Sequence, residues 1–236
     1  MSAGLGRRDA DLRELMDDPQ CDPARLRRTL QRFDIVNRLV SGWGDVYRRH
    51  VRPLARERGG RLTVLDIGCG GGDVLRRLSA AAARDGISLE GVGIDPDARA
   101  LEVARRRPVD GVTFRQAHSA DLVAEGERGG RQFDVVISNH LLHHLDDAQL
   151  RGLLADSASL STALVVHSDI SRSRLAYAAY AAGITPLAPG SFLRTDGLRS
   201  IRRSWTPGEL AARLPEGWTV EHGGRFRLLV TRRSPA

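Results

Sequence analysis

The sequence predicts an α/β fold: a doubly wound, mainly parallel sheet of seven strands with helices on both faces, preceded by N-terminal helices and closed by a C-terminal β-hairpin. Three observations predict it. Between residues 61 and 168, short apolar runs bounded by glycine or acidic residues alternate with stretches of helical period. One of these runs, Val64–Ile67, passes directly into the turn Gly68-Cys69-Gly70-Gly71-Gly72. Near the end of the chain, two further apolar runs are joined through Gly223-Gly224. Strands separated by helices imply right-handed crossovers and a parallel sheet covered on both sides.

The first zone, residues 1–58, reads as a helical cap that shapes the substrate region. Asp22-Pro23 has the pattern of an N-cap followed by proline in the first turn. Leu26, Leu30, Phe33, Val36 and Val40 then recur at helical spacing. Gly42-Trp43-Gly44 interrupts the pattern, and a second helix is expected over about 45–57 with a kink at Pro53. From residue 59 onward the chain reads as the sheet domain. Strands are expected at 61–67, 89–95, 112–116, 133–138 and 163–167, with helices at 74–83 and 97–106. Beyond the fifth strand, residues 174–182 read as a helix. Residues 185–203 read as an ordered loop, part of a lid insertion near 170–205. Thr206-Pro207-Gly208-Glu209 is a capping box opening a helix to Leu214. Residues 218–221 and 226–231 are the closing strands.

Composition narrows the function. With 236 residues, 41% of them hydrophobic, the chain builds one substantial domain. No stretch approaches the roughly 18 uninterrupted apolar residues that a membrane span needs. The segment Met1–Asp18 mixes both charges and lacks the pattern of a secretory signal. Two cysteines, Cys21 and Cys69, form no disulfide framework, so a reducing cytoplasm is expected. The net charge is +7, and all 36 basic residues are arginine. These are scattered (Arg27/Arg28, Arg48/Arg49, Arg105/Arg106, Arg202/Arg203, Arg232/Arg233) rather than gathered in the stripe that a nucleic-acid surface needs.

The glycine turn is the most informative segment. Glycine is needed where backbone bends sharply and approaches a ligand without an intervening Cβ. In dinucleotide sites the strand–turn–helix carries G-x-G-x-x-G and places a pyrophosphate at the helix start. Here the spacing is G-x-G-x-G, with Asp66 two residues before the first glycine. A carboxylate there is unsuited to a pyrophosphate but suited to an ammonium. Gly93-Ile94-Asp95-Pro96-Asp97 ends the next strand, where ribose recognition is expected. The stretch 114–122 follows, and then Phe133–Asn139 ends a further strand. In this order the four elements resemble the class I S-adenosylmethionine-dependent methyltransferases over roughly residues 60–170.

The resemblance implies a Rossmann-like fold, S-adenosylmethionine as cofactor and S-adenosylhomocysteine as product. It implies cofactor contacts from Asp66, Gly68, Gly70, Gly72, Asp95, Pro96 and Asn139, with Asp95 on the ribose. Family members often hold the adenine amino group with an acid near the position of His118. This chain departs from that pattern, and Asp121, with the Ser119 backbone beside the ring, is the substitute expected.

Methyl transfer to a phenol needs the oxyanion. A phenol with a pKa near ~10 is about one part in a thousand ionised at pH 7. A positioned base typically recovers ~10²–10⁴ in rate. The candidates follow strand four in Asn139-His140-Leu141-Leu142-His143-His144. Were the segment helical, the three histidines would share one face. His143 is expected as the base and His140 as its assistant, with His144 packed or hydrogen-bonded under the sheet. The spacing also resembles the Glu-x-x-Glu-His cluster of ubiquinone-pathway O-methyltransferases, which holds a divalent ion. With histidine replacing the acids, magnesium is disfavoured, and zinc on three imidazoles stays an open alternative. His167 and Asp169 lie at the same edge, as candidates for substrate contact or for core and capping roles.

The expected reaction is O-methylation of a small phenolic or polyketide-type hydroxyl. The stretches around Tyr177 to Tyr180 and Ile184 to Gly190 resemble methyltransferases that accompany type III polyketide synthases. Two alternatives stay open. An RNA methyltransferase would show steep salt dependence of binding, though the chain lacks both the Asn/Asp-Pro-Pro-aromatic motif of adenine N-methylation and the cysteine of cytosine C5 methylation. A non-catalytic cofactor-binding subunit would bind without turnover. The sequence leaves oligomeric state open.

Overall fold

A computed structural model describes residues 4–234. The side chains of Asp34, Arg38, Leu39 and Val40 fall outside the described set, so the Val40 position of the helical pattern does too, as do the first three residues of the Met1–Asp18 stretch.

The N-terminal zone, expected to be helical throughout, is helical only from residue 23, and residues 4–22 run as turns and coil. Helix α1 (Pro23–Val40) starts with Asp22 accepting the backbone N–H groups of Ala24 and Arg25 and with proline in the first turn. Then α2 (Trp43–Val46) runs through a π turn at Tyr47–Val51 into α3 (Arg52–Glu57). The irregularity expected at Pro53 lies one turn earlier. Proline has no N–H to offer the carbonyl of the preceding turn, and the wider π turn absorbs the mismatch.

Seven strands form one sheet: β1 (Arg61–Ile67), β2 (Ser88–Asp95), β3 (Val112–Gln116), β4 (Phe133–Asn139), β5 (Ser161–Ile170), β6 (Thr219–His222) and β7 (Arg227–Arg233), in the order β3-β2-β1-β4-β5-β7-β6. The first five are parallel. β7 inserts antiparallel between β5 and β6, so the closing hairpin is present. Alternate residues serve opposite faces. Val64, Val135, Ile137, Val166 and Leu229 pack under α2, α3 and α4 (Asp73–Arg84). Leu65, Val136, Val165, Leu228 and Val230 pack on the other face with Leu150 and Leu154 of α7 (Asp147–Leu160). The crossovers are completed by α5 (Ala98–Arg105) and α6 (Ser119–Gly126). Order reverses between β1 and β4, and this switch point opens a crevice at the carboxyl ends of the strands, where ligands bind in such sheets.

Beyond β5 stand α8 (Arg174–Gly183), α9 (Leu193–Arg203) and α10 (Pro207–Ala211). The last carries the expected capping box between Thr206 and Glu209. Residues 193–203, expected as loop, are helix. The buried positions Leu193, Asp196, Ser200 and Ile201 follow a helical stripe. Only two of them are apolar, which hid the period from the sequence.

Candidate active site

The glycine turn hangs between β1 and β2. The N–H groups of Gly68 and Cys69 both donate to the Ile94 carbonyl, at 2.8 and 3.0 Å. Gly68 and Gly70 adopt φ of 70° and 53°, conformations that favour glycine. Gly72 has another purpose. At φ 75° it opens α4, and a Cβ there would lie 2.5 Å from the Phe114 ring. It stands outside the cavity lining and sets the fit of helix against sheet.

A cavity of about 900 Å³ runs from this turn past the tips of β4 and β5 to α1, α8 and α9. At the glycine end lies Asp66, 1% exposed, with neither carboxylate oxygen hydrogen-bonded. Burial raises its pKa well above the carboxylate range, and Asp73 and Asp95 add to the rise. Asp73 in turn accepts the Asn37 amide at 2.9 Å. Asp95 accepts the N–H of Gly70 at 2.9 Å and of Asp97 at 2.8 Å. A carboxylate has about four lone-pair sites, which leaves Asp95 capacity for a diol. Pro96 and Asn139 also line the cavity.

Ser119 and Asp121 do not reach it. Asp121 accepts the N–H of His118 at 2.8 Å, capping its own helix, and the Ser119 hydroxyl donates to Asp156 at 2.6 Å. Both side chains are engaged at the start of α6.

Residues 64–162 match a family described as a methyltransferase domain. Over that stretch, which is less than half of the 236 residues, the chain resembles this family. It is similar to the ubiquinone biosynthesis O-methyltransferase of Methylobacterium sp. (strain 4-46), 34% identical over 130 residues, covering 53% of this chain and 48% of that protein. It is also similar to the enzyme of that name from Azorhizobium caulinodans, 36% identical over 105 residues, covering 43% and 36%. The chain thus spans about half or less of these relatives' lengths. Among solved structures, the complex of DhpI with SAH shares the fold, at 21% identity over 94% of this chain and 98% of that one, with a TM-score of 0.51.

At the far side of the cavity, the histidines depart from expectation. They do not share a helix face. His140 takes φ 58°, and only Leu142–His144 forms a 3-10 turn. His143, 1% exposed, is clamped between two acids: Nδ1 donates to Asp169 at 2.8 Å and Nε2 to Glu14 at 3.2 Å. Its backbone N–H also donates to Asp169, at 2.8 Å. Burial opposes a charge here, but the two carboxylates prevail and push the imidazole up to about 9. His143 is therefore an imidazolium at neutral pH, without a lone pair for base catalysis. His140 is held neutral, well below the usual histidine range, by burial and by Arg227. Its Nε2 accepts from Arg227 at 2.8 Å, so that lone pair is engaged as well.

Metal-type groupings do occur: Glu14, His143 and His144 form one, and His140, His143 and Asp169 another, each with its ligand atoms within 4.8 Å. The three imidazoles together form no such group among the described residues. Both groupings depend on His143, whose ring nitrogens carry protons toward carboxylates, and this arrangement does not fit a metal ligand. Asp169 holds His143 and is not in the cavity lining, and neither is His167. His167 is fully buried, hydrogen-bonded to Ser138 at 2.8 Å and stacked on Trp218, with burial bringing its pKa down to about 3.

Sequence reasoning missed the N-terminal strap. Glu14 also accepts from the Ser200 hydroxyl at 2.7 Å, and the N–H groups of Leu15 and Met16 donate to Asp196 at 2.8 and 3.0 Å. Arg8 donates to the carbonyls of His143 and Leu145 and lies 3.7 Å over the Trp205 ring. Arg99, beside the Asp95 loop, donates to the carbonyls of Met16, Asp18 and Pro19. Nothing local in the sequence marks these contacts. Arg227, on the opposite wall, was likewise one arginine among 36.

Proposed function

We propose that this chain transfers a methyl group from S-adenosylmethionine to a hydroxyl of a small phenolic or polyketide-type molecule. The observation that carries the reading is the continuity of one cavity. Its polar end presents an unpartnered buried carboxylate, and its other end is walled by Phe33 and Val36 of α1, Ala176 of α8 and Ile184 just after it. Pockets that orient a small ligand combine a mostly apolar wall with a few placed polar groups. The likeness to two ubiquinone biosynthesis O-methyltransferases supports the choice of oxygen as acceptor.

The residues fit the cofactor. Asp66 would hold the ammonium, because its carboxylate has no protein partner. Gly68 and Gly70 let the backbone approach, and Asp95 with Pro96 would hold the ribose. Asn139, at the tip of β4, stands between cofactor and acceptor. S-adenosylmethionine supplies an already activated methyl on a sulfonium, so the protein's part is placement. The strap, α8 and α9 enclose the acceptor and exclude water, and the regions 1–58 and 170–205 are the selective parts. Among the described residues no helix is long and apolar enough to cross a membrane. Cys21 and Cys69 are free thiols, which suits a reducing cytoplasm.

The test is S-adenosylhomocysteine formation by purified protein with phenols, alkylresorcinols, pyrones, a carboxylic acid and a structured RNA, each with and without chelator. Turnover on a phenolic acceptor that survives chelation is the expected result. Turnover on RNA alone, or none on any acceptor, would overturn the reading.

A further inference from the structure

Arg227 opens β7 at the wall of the acceptor chamber and is 4% exposed. Its guanidinium makes three hydrogen bonds, to His140 Nε2 at 2.8 Å and to Asn139 Oδ1 and Ser168 Oγ at 2.6 Å each. All three acceptors are neutral. Its Nε has no partner. Among the described residues no carboxylate forms an ion pair with it. The acids nearest to it and to His140 are Asp169 and Glu14, and both are bonded to the imidazolium of His143. Arg225 joins the same wall and adds positive charge. A charge is usually buried only with a counter-charge or full hydrogen bonding. Here the nearest negative charge, Asp169, is shared with His143 and acts on Arg227 without a direct ion pair.

The wall is also conformationally pinned. His140 and Phe226, at φ 58° and 64°, are the two non-glycine residues with left-handed φ among those described, and they flank the Arg227–His140 contact. Backbone strain of this kind concentrates where a site over-determines geometry. Because Arg227 donates into Nε2, the neutral His140 ring must carry its proton on Nδ1. It therefore offers a donor rather than a lone pair. Arg227 and His140 both line a chamber in which neither His140 nor His143 has a free lone pair to act as base.

We propose that Arg227, together with the Nδ1–H of His140, binds the acceptor as an oxyanion, so that the acceptor hydroxyl is a phenol ionised by this wall rather than by a histidine base. This rests on the methyl transfer proposed above. The hydroxyl releases its proton to solvent on binding. Its oxygen pair forms the O–CH₃ bond, and the C–S bond breaks with its pair returning to sulfur, leaving a neutral thioether. A guanidinium favours the charged form of a neighbouring acid, so the bound phenol ionises below its free pKa.

The test reads ionisation separately from turnover. First, 4-nitrophenol is titrated by its phenolate absorbance in the complex of the protein with S-adenosylhomocysteine. We expect an apparent pKa at least one unit below that of the free probe, a shift lost in Arg227→Met and partly kept in Arg227→Lys. Thermal unfolding and retained S-adenosylhomocysteine binding check that both variants fold, and the charge-keeping Lys variant serves if Met does not. Second, kcat/KM for a phenolic acceptor is followed with pH. Arg227→Met should lose at least 100-fold at pH 7 and recover most of it near pH 10, where solvent ionises the phenol. A purely structural role for Arg227 gives no such recovery. Failure of the wild-type complex to bind the probe or to shift its pKa overturns the proposal, as does an acidity limb of kcat/KM unchanged in Arg227→Met. A shifted probe with no turnover on any phenol would sustain the oxyanion wall and overturn the methyl transfer instead.

Discussion

His143 Nδ1 lies 2.8 Å from Asp169 Oδ1, on the one carboxylate that also receives the His143 backbone N–H. The side chain expected to take a proton from substrate is instead a fixed cation. Its titration belongs to stability. His143 is raised from 6.5 to about 9, so its contribution is complete below pH 6.5 and lost as pH rises through 9. Glu14 is lowered from 4.5 to about 2, so its contribution is present above pH 4.5 and lost as pH falls toward 2. Both contributions are therefore complete between about pH 4.5 and 6.5. The gap in unfolding free energy between wild type and His143→Gln, from urea titrations, should narrow by about 3 kcal/mol between pH 6 and pH 9. A gap independent of pH would remove the imidazolium.

Asp66 makes a prediction about protons. Its pKa is raised by burial and by neighbouring acids, and an ammonium placed against it lowers that pKa again. Binding of S-adenosylhomocysteine should then release protons, seen as a calorimetric enthalpy that varies with the ionisation heat of the buffer. Asp66→Asn should abolish the variation and weaken binding at least tenfold.

Asp95 is tested by affinity alone. Asp95→Ala removes both the proposed ribose acceptor and the brace on the Gly70 N–H. Calorimetry should show at least tenfold weaker S-adenosylhomocysteine binding, and an unchanged affinity would withdraw the ribose assignment.

Gly72→Ala should act on the fold. The new Cβ would meet Phe114 at 2.5 Å on a backbone of φ 75°. Overpacking and left-handed strain each carry a penalty of about 1–2 kcal/mol. The expected loss is therefore a few kcal/mol by chemical denaturation, with Gly70→Ala, whose Cβ meets nothing within 4 Å, distinctly milder.

The parts of the molecule legible in the sequence are those governed by local backbone rules. The glycine turn after β1 could be read because a sharp bend at a ligand demands glycine at fixed spacing. The hairpin could be read because Gly223-Gly224 separates two apolar runs. Asp22-Pro23 and Thr206–Glu209 are self-contained capping signals. The misreadings occur where tertiary contacts decide. Helix α9 buries Asp196 and Ser200 where a pattern reader looks for apolar residues. The three histidines would share a face only on a helix, whereas the left-handed turn at His140 lets one ring meet Arg227 and another Asp169. Glu14 meets His143 across 129 positions of sequence and Arg227 meets His140 across 87, and no local pattern marks either pairing.

The insertion of β7 between β5 and β6 ties the two ends of the cavity to distant parts of the sequence. Asp66, the glycine turn and Asp95 belong to the first two strands, whereas Arg227 arrives on the last, paired with β5. A single domain folds as a unit, so the end proposed for the methyl donor and the end proposed for the acceptor form together. A chain truncated before β7 would lose Arg227 along with the sheet edge that carries it.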